Sequence, residues 1–315
     1  MQWFAQAPAN IALIKYMGKK DDKNNIPDNP SLSYTLNNLL TSVMLESHAG
    51  KKDFWEPLEI PGAPPFVLSA QAQERFLQHL ARMKAYFNYT GSFVVRSSNN
   101  FPTSSGLASS ASSFAALTKC STLALSELTS QPIPPIEKQA QLSMLGSGSS
   151  CRSFFSPWAL WQDKTVEAIE LPYTQLHHEV IVISHLEKHV PSSEAHTRVK
   201  SSSHYQGRSQ RAAENLKNLL RALKNKDWAS AYHICWLEFQ DMHKLFATSV
   251  PSFTYFNEKV EEALKNVQGL WNREGDGPIV TMDAGPNIHL LYRPEQAELA
   301  LRFKQDYLIG NYDVL

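Results

Sequence analysis

The chain has 315 residues, of which 43% are hydrophobic and 19% are charged, and its 30 basic and 30 acidic residues cancel. This composition is typical of a soluble globular protein with an ample core, and without a basic excess it excludes the electrostatic footprint of a nucleic-acid-binding protein. The first residues, MQWFAQAPAN, lack the basic lead and apolar core of a secretion signal, and no apolar run approaches membrane-spanning length, so we expect a cytoplasmic protein without a membrane partner.

The first part of the chain mixes strand-like and helical patterns. Strands are predicted at residues 39–46 and 93–97, and helices at residues 71–87 and 106–128. A hairpin is expected over residues 158–169. A short apolar run at residues 180–184 then predicts a fully buried strand.

The second part is richer in helical periodicity. Apolar stripes predict helices around residues 216–223, 228–242 and 260–267, followed by strands at 279–283 and 288–292 and a helix at 294–304. The fold class is therefore α+β. The shift in composition predicts two lobes, residues 1–184 and 185–315, that share an interface.

The three cysteines Cys120, Cys151 and Cys235 have neither paired nor metal-like spacing, which indicates reduced thiols. The histidines His177, His178, His185 and His189 lack helical metal-ligand spacing. We interpret them as surface or turn residues and expect no transition-metal site there.

Residues 101–117, FPTSSGLASSASSFAAL, form a run of small side chains that continues into an apolar helical pattern. A loop of glycine and serine at a helix N-terminus can wrap an anion, because uncovered N–H groups and the helix dipole both favour negative charge. A serine-capped helix packed tightly against a neighbour is the structural alternative. The pattern alone does not decide between them.

Three further segments carry charged residues in unusual places. Lys15 lies in an apolar run, where a lysine either snorkels to the surface or points into a cleft. Arg152 follows two Gly-Ser steps, and its planar guanidinium can grip a carboxylate or phosphate with two bonds. Asp283 ends an apolar strand before a Gly-Pro turn, where an aspartate is commonly only a turn former.

Taken together, four ordered signatures resemble those of the mevalonate diphosphate decarboxylases, a family of the galactokinase, homoserine kinase, mevalonate kinase and phosphomevalonate kinase superfamily. Residues 7–19 match A-P-x-N-I-A-x-x-K-Y-x-G-K, and residues 100–111 match N-F-P-T-x-x-G-L-A-S-S-A. Residues 146–153 match G-S-G-S-x-C-R-S, and residues 283–287 match D-A-G-P-N. The phosphate loop alone would indicate only the superfamily.

The resemblance implies a two-lobed fold around a deep cleft, with the nucleotide phosphates bound by the N-terminal lobe and the catalytic aspartate carried by the C-terminal lobe. It implies that ATP phosphorylates the 3-hydroxyl of mevalonate 5-diphosphate, after which phosphate and CO₂ leave and isopentenyl diphosphate remains. ATP and Mg²⁺ are the expected cofactors, and a homodimer is the family expectation.

The same resemblance implies roles for individual residues. The catalytic residues would be Asp283, as the base that orients or deprotonates the hydroxyl, Lys15, which balances its charge, and Arg152, which fixes the carboxylate. The substrate would be bound by Asn10, Tyr16, Lys19, Arg75, Ser147, Ser149 and Ser192. ATP would be bound by Pro102, Ser105, Gly106, Leu107, Ala108, Ser109 and Ser110, with Ser110 also a Mg²⁺ contact.

Some positions depart from the family pattern. Met17 stands where a tryptophan is usual, and the family's S-S-T-x-G-M becomes Ser192-Ser193-Glu194-Ala195-His196-Thr197 within an expected loop over residues 188–203. Three alternative functions stay open at this point. They are a kinase for a mevalonate hydroxyl, a decarboxylase acting on the monophosphate, and a noncatalytic ligand sensor, which the intact Asp283 disfavours.

Overall fold

The computed structural model describes residues 1–61, 67–101, 109–186 and 189–315. It is an α+β fold, as the sequence predicts, and it is built on two main sheets. One sheet draws its strands from residues 2–168, and the other from residues 177–314.

The first sheet is organised by two long antiparallel strands, β1 (Gln2–Ile14) and β4 (Ser31–His48). Side chains of β1 alternate between exposed and buried at its start and are all buried from Ala9 onward, because its second half is covered on both faces. The register shifts between Pro8 and Ala9, at a proline that has no N–H to donate. This irregularity precedes the part of β1 that reaches the cleft.

The other strands of this region are shorter. A small hairpin, β2 (Lys19–Asp21) and β3 (Ile26–Pro27), lies between the two long strands in the chain. The first sheet is completed by β5 (Phe54–Pro57), β6 (Ser92–Asn99), β7 (Trp158–Gln162) and β8 (Thr165–Ala168), in the order β5-β6-β4-β7-β8. The predicted hairpin at 158–169 is confirmed, while β4 is much longer than the predicted strand at 39–46.

Three helices follow one another around the first sheet. They are α1 (Ala70–Tyr86), α2 (Ser109–Thr129) and α3 (Ile136–Met144), with a 3₁₀ helix at Gly148–Phe154. Helix α2 packs on β1 and β4 and contacts α1 and α3, and most of its residues are buried. Its serines and alanines allow this close approach, so the structural and the anion-binding explanations of its composition are compatible.

The second sheet is antiparallel, in the order β10-β11-β9-β12. Its strands are β9 (His177–Val182), β10 (Ile279–Met282), β11 (Ile288–Tyr292) and β12 (Asp313–Val314). The helices of this half are α4 (Ser192–Arg198), α5 (Arg208–Lys224), α6 (Trp228–Ala247), α7 (Glu258–Glu274) and α8 (Ala297–Phe303). The three apolar stripes thus form α5, α6 and α7 as predicted.

Two sequence expectations are corrected. The part of residues 188–203 that the structure describes is not an open loop. Helix α4 begins after Pro191, and an ion pair between Glu194 and Arg198, one helical turn apart, stabilises it.

His178 is not a surface residue: it is buried on β9, and its Nε2 lies within hydrogen-bond distance of His289 Nδ1, at 2.9 Å. Every residue of β9 from His178 to Val182 is buried, so the strand buries this histidine together with its apolar neighbours, which a test for metal-ligand spacing does not detect.

One of the apolar clusters spans both sheets. Ile11 and Leu13 of β1 belong to the same buried cluster as Phe239 of α6 and Ile288 of β11. Within the described ranges, none of the helices combines the length and the apolar character that crossing a lipid bilayer requires.

Candidate active site

A cavity of about 400 Å³ lies where the end of β1, the 3₁₀ helix, the starts of α1, α2 and α4, and the β10–β11 turn converge. All the predicted site residues within the described ranges line it. They are Asn10, Lys15, Tyr16, Lys19, Arg75, Ser109, Ser110, Ser147, Ser149, Arg152, Ser192 and Asp283.

An ion pair forms one wall of the cavity. Lys15 follows β1 directly, Asp283 follows β10 directly, and Lys15 Nζ lies 2.7 Å from Asp283 Oδ1. Lys15 is 1% exposed, whereas the Asp283 side chain is 27% exposed. Of the two explanations of Lys15, the structure therefore supports a lysine aimed into a cleft and not one at the surface.

Burial lowers the pKa of the Lys15 ammonium, and the nearby carboxylates of Asp283 and Glu238 oppose that shift. The ammonium is thus removed from water, and the neighbouring carboxylates compensate its positive charge. The more accessible member of the pair is the carboxylate, which faces the cavity.

Arg152 forms the next part of the wall. It is 3% exposed, its Nε donates to Asn10 Oδ1 at 3.1 Å, and its Nη1 donates to Ser31 Oγ at 2.9 Å. Asn10 is fixed in turn by donating to Ser153 Oγ at 2.8 Å. Among the residues that the structure describes, no carboxylate lies within ion-pair distance of Arg152, so the guanidinium is oriented by neutral partners.

A second cationic region lies around Lys19 and Arg75. Lys19 Nζ donates to Asn25 Oδ1 at 2.7 Å, and Arg75 Nη2 donates to the Gly146 carbonyl at 3.4 Å. Burial lowers the pKa of Lys19; Asp22 opposes this shift, while Arg75 and Lys200 add to it. A site that brings these cations together favours a ligand with several negative charges.

Hydroxyl groups line the side of the cavity at the start of α2. Ser147 Oγ donates to Ser110 Oγ at 3.4 Å, and the first turn of this 21-residue helix contains Ser109 and Ser110. The predicted phosphate-loop residues Pro102, Ser105, Gly106, Leu107 and Ala108 lie outside the described residues.

Sequence reasoning missed His196 of α4. Its Nδ1 accepts the Gly18 N–H at 3.1 Å, and its ring packs on Tyr16 with centroids 4.3 Å apart. Burial, reinforced by Lys19 and Lys200, lowers its pKa to about 3, so the ring is neutral. In the sequence, His196 is marked only as a departure from the family motif S-S-T-x-G-M. That departure does not indicate that its ring points toward Gly18 and Tyr16.

Position 18 requires a glycine. Its φ is +95°, in the left-handed region, and an added Cβ would overlap the Tyr205 hydroxyl. The chain can therefore turn from Lys15 toward Lys19 only with glycine here.

The cavity combines one accessible carboxylate, the buried cations Lys15 and Arg152, the more exposed cations Lys19 and Arg75, and a hydroxyl-rich helix start. These features define a site for a polyanionic substrate at which phosphoryl transfer can be catalysed.

Comparisons with known proteins identify one family over both halves of the chain. Residues 7–168 match the diphosphomevalonate decarboxylase-like N-terminal domain, and residues 179–313 match the mevalonate 5-diphosphate decarboxylase C-terminal domain. The chain therefore belongs to the mevalonate diphosphate decarboxylase family.

Individual relatives agree over nearly the whole chain. A diphosphomevalonate decarboxylase from Debaryomyces hansenii is 30% identical over 94% of this chain and 81% of its own length. A crystal structure of a mevalonate diphosphate decarboxylase from Legionella pneumophila is 64% identical, with a TM-score of 0.95 and full coverage of both chains. A structure described as MDDEF in complex with MVAPP, AMPPCP and magnesium is 29% identical, with a TM-score of 0.88, covering 100% of this chain and 96% of that one.

Proposed function

We propose that this protein catalyses the ATP-dependent decarboxylation of mevalonate 5-diphosphate to isopentenyl diphosphate, with release of ADP, phosphate and CO₂. The observation that carries the proposal is the ion pair of Lys15 with Asp283 in the same cavity as the buried guanidinium of Arg152. The family membership and the relative that binds MVAPP, AMPPCP and magnesium support it.

Asp283 would act on the hydroxyl that is phosphorylated. A tertiary alcohol is a poor nucleophile, and a carboxylate within hydrogen-bond reach can orient it and take its proton as the bond to phosphorus forms. Lys15 holds this carboxylate at one oxygen atom, Oδ1. The ammonium also supplies positive charge beside the group that receives the phosphoryl.

Arg152 would hold the substrate carboxylate. Elimination of phosphate and loss of CO₂ are concerted only when the breaking C–C and C–O bonds are aligned, so the carboxylate has to be fixed in direction. A guanidinium that is itself anchored at Asn10 and Ser31 can do this with two parallel bonds. Lys19 and Arg75 would bind the diphosphate, with Tyr16, Ser149 and Ser192 completing the substrate wall.

The hydroxyl-rich side fits the nucleotide and its metal ion. Mg²⁺ prefers oxygen ligands, and the Oγ atoms of Ser110 and Ser147 are 3.4 Å apart on this side of the cavity. When bound, Mg²⁺ neutralises charge on the phosphates. The start of α2 would hold the ATP phosphates through Ser109 and Ser110.

The decisive experiment incubates the purified protein with ATP, Mg²⁺ and mevalonate labelled at the carboxylate, supplied separately as the mono- and diphosphate. Equal yields of CO₂, ADP and phosphate from the diphosphate are expected. ADP without CO₂ would indicate a kinase, and turnover of the monophosphate alone would indicate the related decarboxylase. Binding of the substrates without turnover would indicate a noncatalytic ligand sensor.

Two further properties belong to the proposal. A cytoplasmic location is supported by the burial of Cys120, Cys151 and Cys235 as free thiols, which suits a reducing compartment. A homodimer is the expectation from the family, and sedimentation at micromolar concentration would test it.

A further inference from the structure

A side chain of helix α6 bonds the backbone of Lys15, the residue whose ammonium pairs with Asp283. Glu238 is 0% exposed, and its Oε1 accepts the backbone N–H of Lys15 at 3.0 Å. Lys15 has just left β1, so this N–H has no strand partner and the carboxylate replaces one. Glu238 therefore fixes the point from which the Lys15 side chain extends toward Asp283.

Arg208 of α5 completes a clamp on the backbone of the same residue, Lys15. It forms a buried ion pair with Glu238, and its Nη2 donates to the Lys15 carbonyl at 3.2 Å. Asn29 Nδ2 donates to that carbonyl at 2.8 Å. Both polar backbone groups of Lys15 are thus held by buried side chains.

The same helix also reaches the backbone of the other partner. His243 Nε2 lies 3.1 Å from the carbonyl oxygen of Asp283, and because a carbonyl only accepts, Nε2 carries the proton and donates. The His243 ring packs edge-on against Phe246, Tyr255 and Phe256. This aromatic packing determines where the donor points.

We propose that Glu238 and His243 are positioning residues of the reaction, which hold the backbones of Lys15 and Asp283 on one rigid helix so that the ammonium and carboxylate meet. Side chains from two different sheets have to stay in register to keep the 2.7 Å contact. One helix that bonds both peptides supplies that register. The inference rests on the proposed role of Asp283 in phosphoryl transfer.

The ion pair of Glu238 with Arg208 is poorly explained by stability alone. Removing two charges from water costs free energy that their attraction does not always repay, and apolar side chains often replace such pairs without loss. A carboxylate that also accepts the Lys15 N–H has a geometric function that an apolar residue lacks.

The first test is His243→Phe. Phenylalanine keeps an aromatic ring in the aromatic surroundings of His243 and removes the donor to Asp283, and the melting temperature is measured to establish that the variant is folded. We expect kcat to fall by about tenfold or more, with KM for ATP and for the diphosphate unchanged, because small misplacement of a reacting group is costly. A kcat that falls less than about fivefold overturns the proposal for His243.

The second test compares Glu238→Leu with Glu238→Gln, which keeps a carbonyl oxygen as acceptor. We expect kcat to drop in the leucine variant and to be largely recovered in the glutamine variant. Asp241→Asn is the matched control, because Asp241 lies on the same helix and pairs with Arg208 at 2.8 Å but contacts neither Lys15 nor Asp283 in the described hydrogen bonds. A kcat loss in Asp241→Asn as large as in Glu238→Leu would attribute the effect to the ion-pair network and overturn the proposal for Glu238.

Hydrogen exchange separates this inference from the proposed function. The Lys15 amide should exchange faster in Glu238→Leu and as slowly as wild type in Asp241→Asn, whatever reaction the protein catalyses. Unchanged protection of this amide in Glu238→Leu refutes the clamp, whereas absence of CO₂ release by the wild type refutes the proposed reaction. His243→Phe provides the kinetic test if the leucine variant does not fold.

Discussion

Lys15 Nζ and Asp283 Oδ1 lie 2.7 Å apart although 268 positions separate the two residues in the chain. The lysine is almost fully buried and the aspartate is not, so the pair presents its carboxylate to the cavity and keeps its ammonium behind it. This asymmetry suits a general base whose charge is balanced from the protein side.

Asp283→Asn should abolish most of the activity while preserving the fold. The amide keeps the shape of the side chain and its oxygen can still accept from Lys15, but it carries no charge and cannot take the proton, so phosphoryl transfer should slow by about 10²- to 10⁴-fold, roughly 3 to 5 kcal/mol of barrier. Rapid-quench measurements with labelled ATP and labelled carboxylate should show ADP and CO₂ falling together. CO₂ release near the wild-type rate would exclude Asp283 as the base.

Arg152→Lys should uncouple the two halves of the reaction. Lysine keeps the charge but cannot form the two parallel bonds, and it cannot reproduce the contacts to Asn10 and Ser31 together. We expect a lower kcat, normal ATP binding and more ADP than CO₂ in a quench experiment. Ser31→Ala, which removes only one anchor of the guanidinium, should show a weaker version of the same imbalance. Equal ADP and CO₂ at an undiminished rate in Arg152→Lys would contradict this role.

Lys19→Ala should act mainly on substrate affinity. Its ammonium donates to Asn25 and, in the described hydrogen bonds, contacts neither Lys15 nor Asp283, so we expect it to bind the diphosphate, which changes little during the reaction. KM for the diphosphate should rise about tenfold or more while kcat falls less, since uniform binding is lost. Lys20→Ala is a suitable control, because Lys20 pairs with Asp163 at the surface. A collapse of kcat at constant KM would instead assign Lys19 to the reacting groups.

The free energy of unfolding should decrease as the pH falls below neutrality. Burial lowers the pKa of His79 and of His196 to about 3, with Arg82 adding to the shift at His79. An unfolded histidine titrates near pH 6.5, so below that pH the unfolded chain binds protons that the folded protein does not, and stability is lost at about 1.4 kcal/mol per pH unit for each ring.

Urea unfolding between pH 8 and pH 5 measures this dependence. His79→Gln can still bond Thr118 but does not titrate, so its unfolding free energy should fall less steeply below pH 6.5 than that of the wild type. Equal slopes for the two proteins would show that His79 does not remain neutral in the folded state.

The sequence predicts the helices of this fold better than the full extent of its longest strand. The stripes of α5, α6 and α7 and the predicted helix at 71–87 are confirmed because one buried face imposes a period of 3.6 residues. The full length of β4 was not predicted, since different neighbours cover its two ends and no single alternation runs through it.

The site shows a similar limit. Lys15, Arg152 and Asp283 stand out because each charge interrupts an apolar or glycine-rich context. Glu238 and His243 do not, because they alternate with the apolar residues of α6 and look like ordinary polar positions on an amphipathic helix. Their importance appears only when the helix is packed against the ends of β1 and β10.

The 268 positions between Lys15 and Asp283 also bear on synthesis. During translation, β1 leaves the ribosome long before the β10–β11 turn exists, so a nascent chain has the cationic side of its site without the carboxylate. On the proposed assignment of Asp283, a chain that stalls or is cut before residue 283 would lack the base and could not transfer the phosphoryl group of ATP. If the proposed role of Asp283 is right, synthesis of the C-terminal part of the chain would be the step that makes the site active.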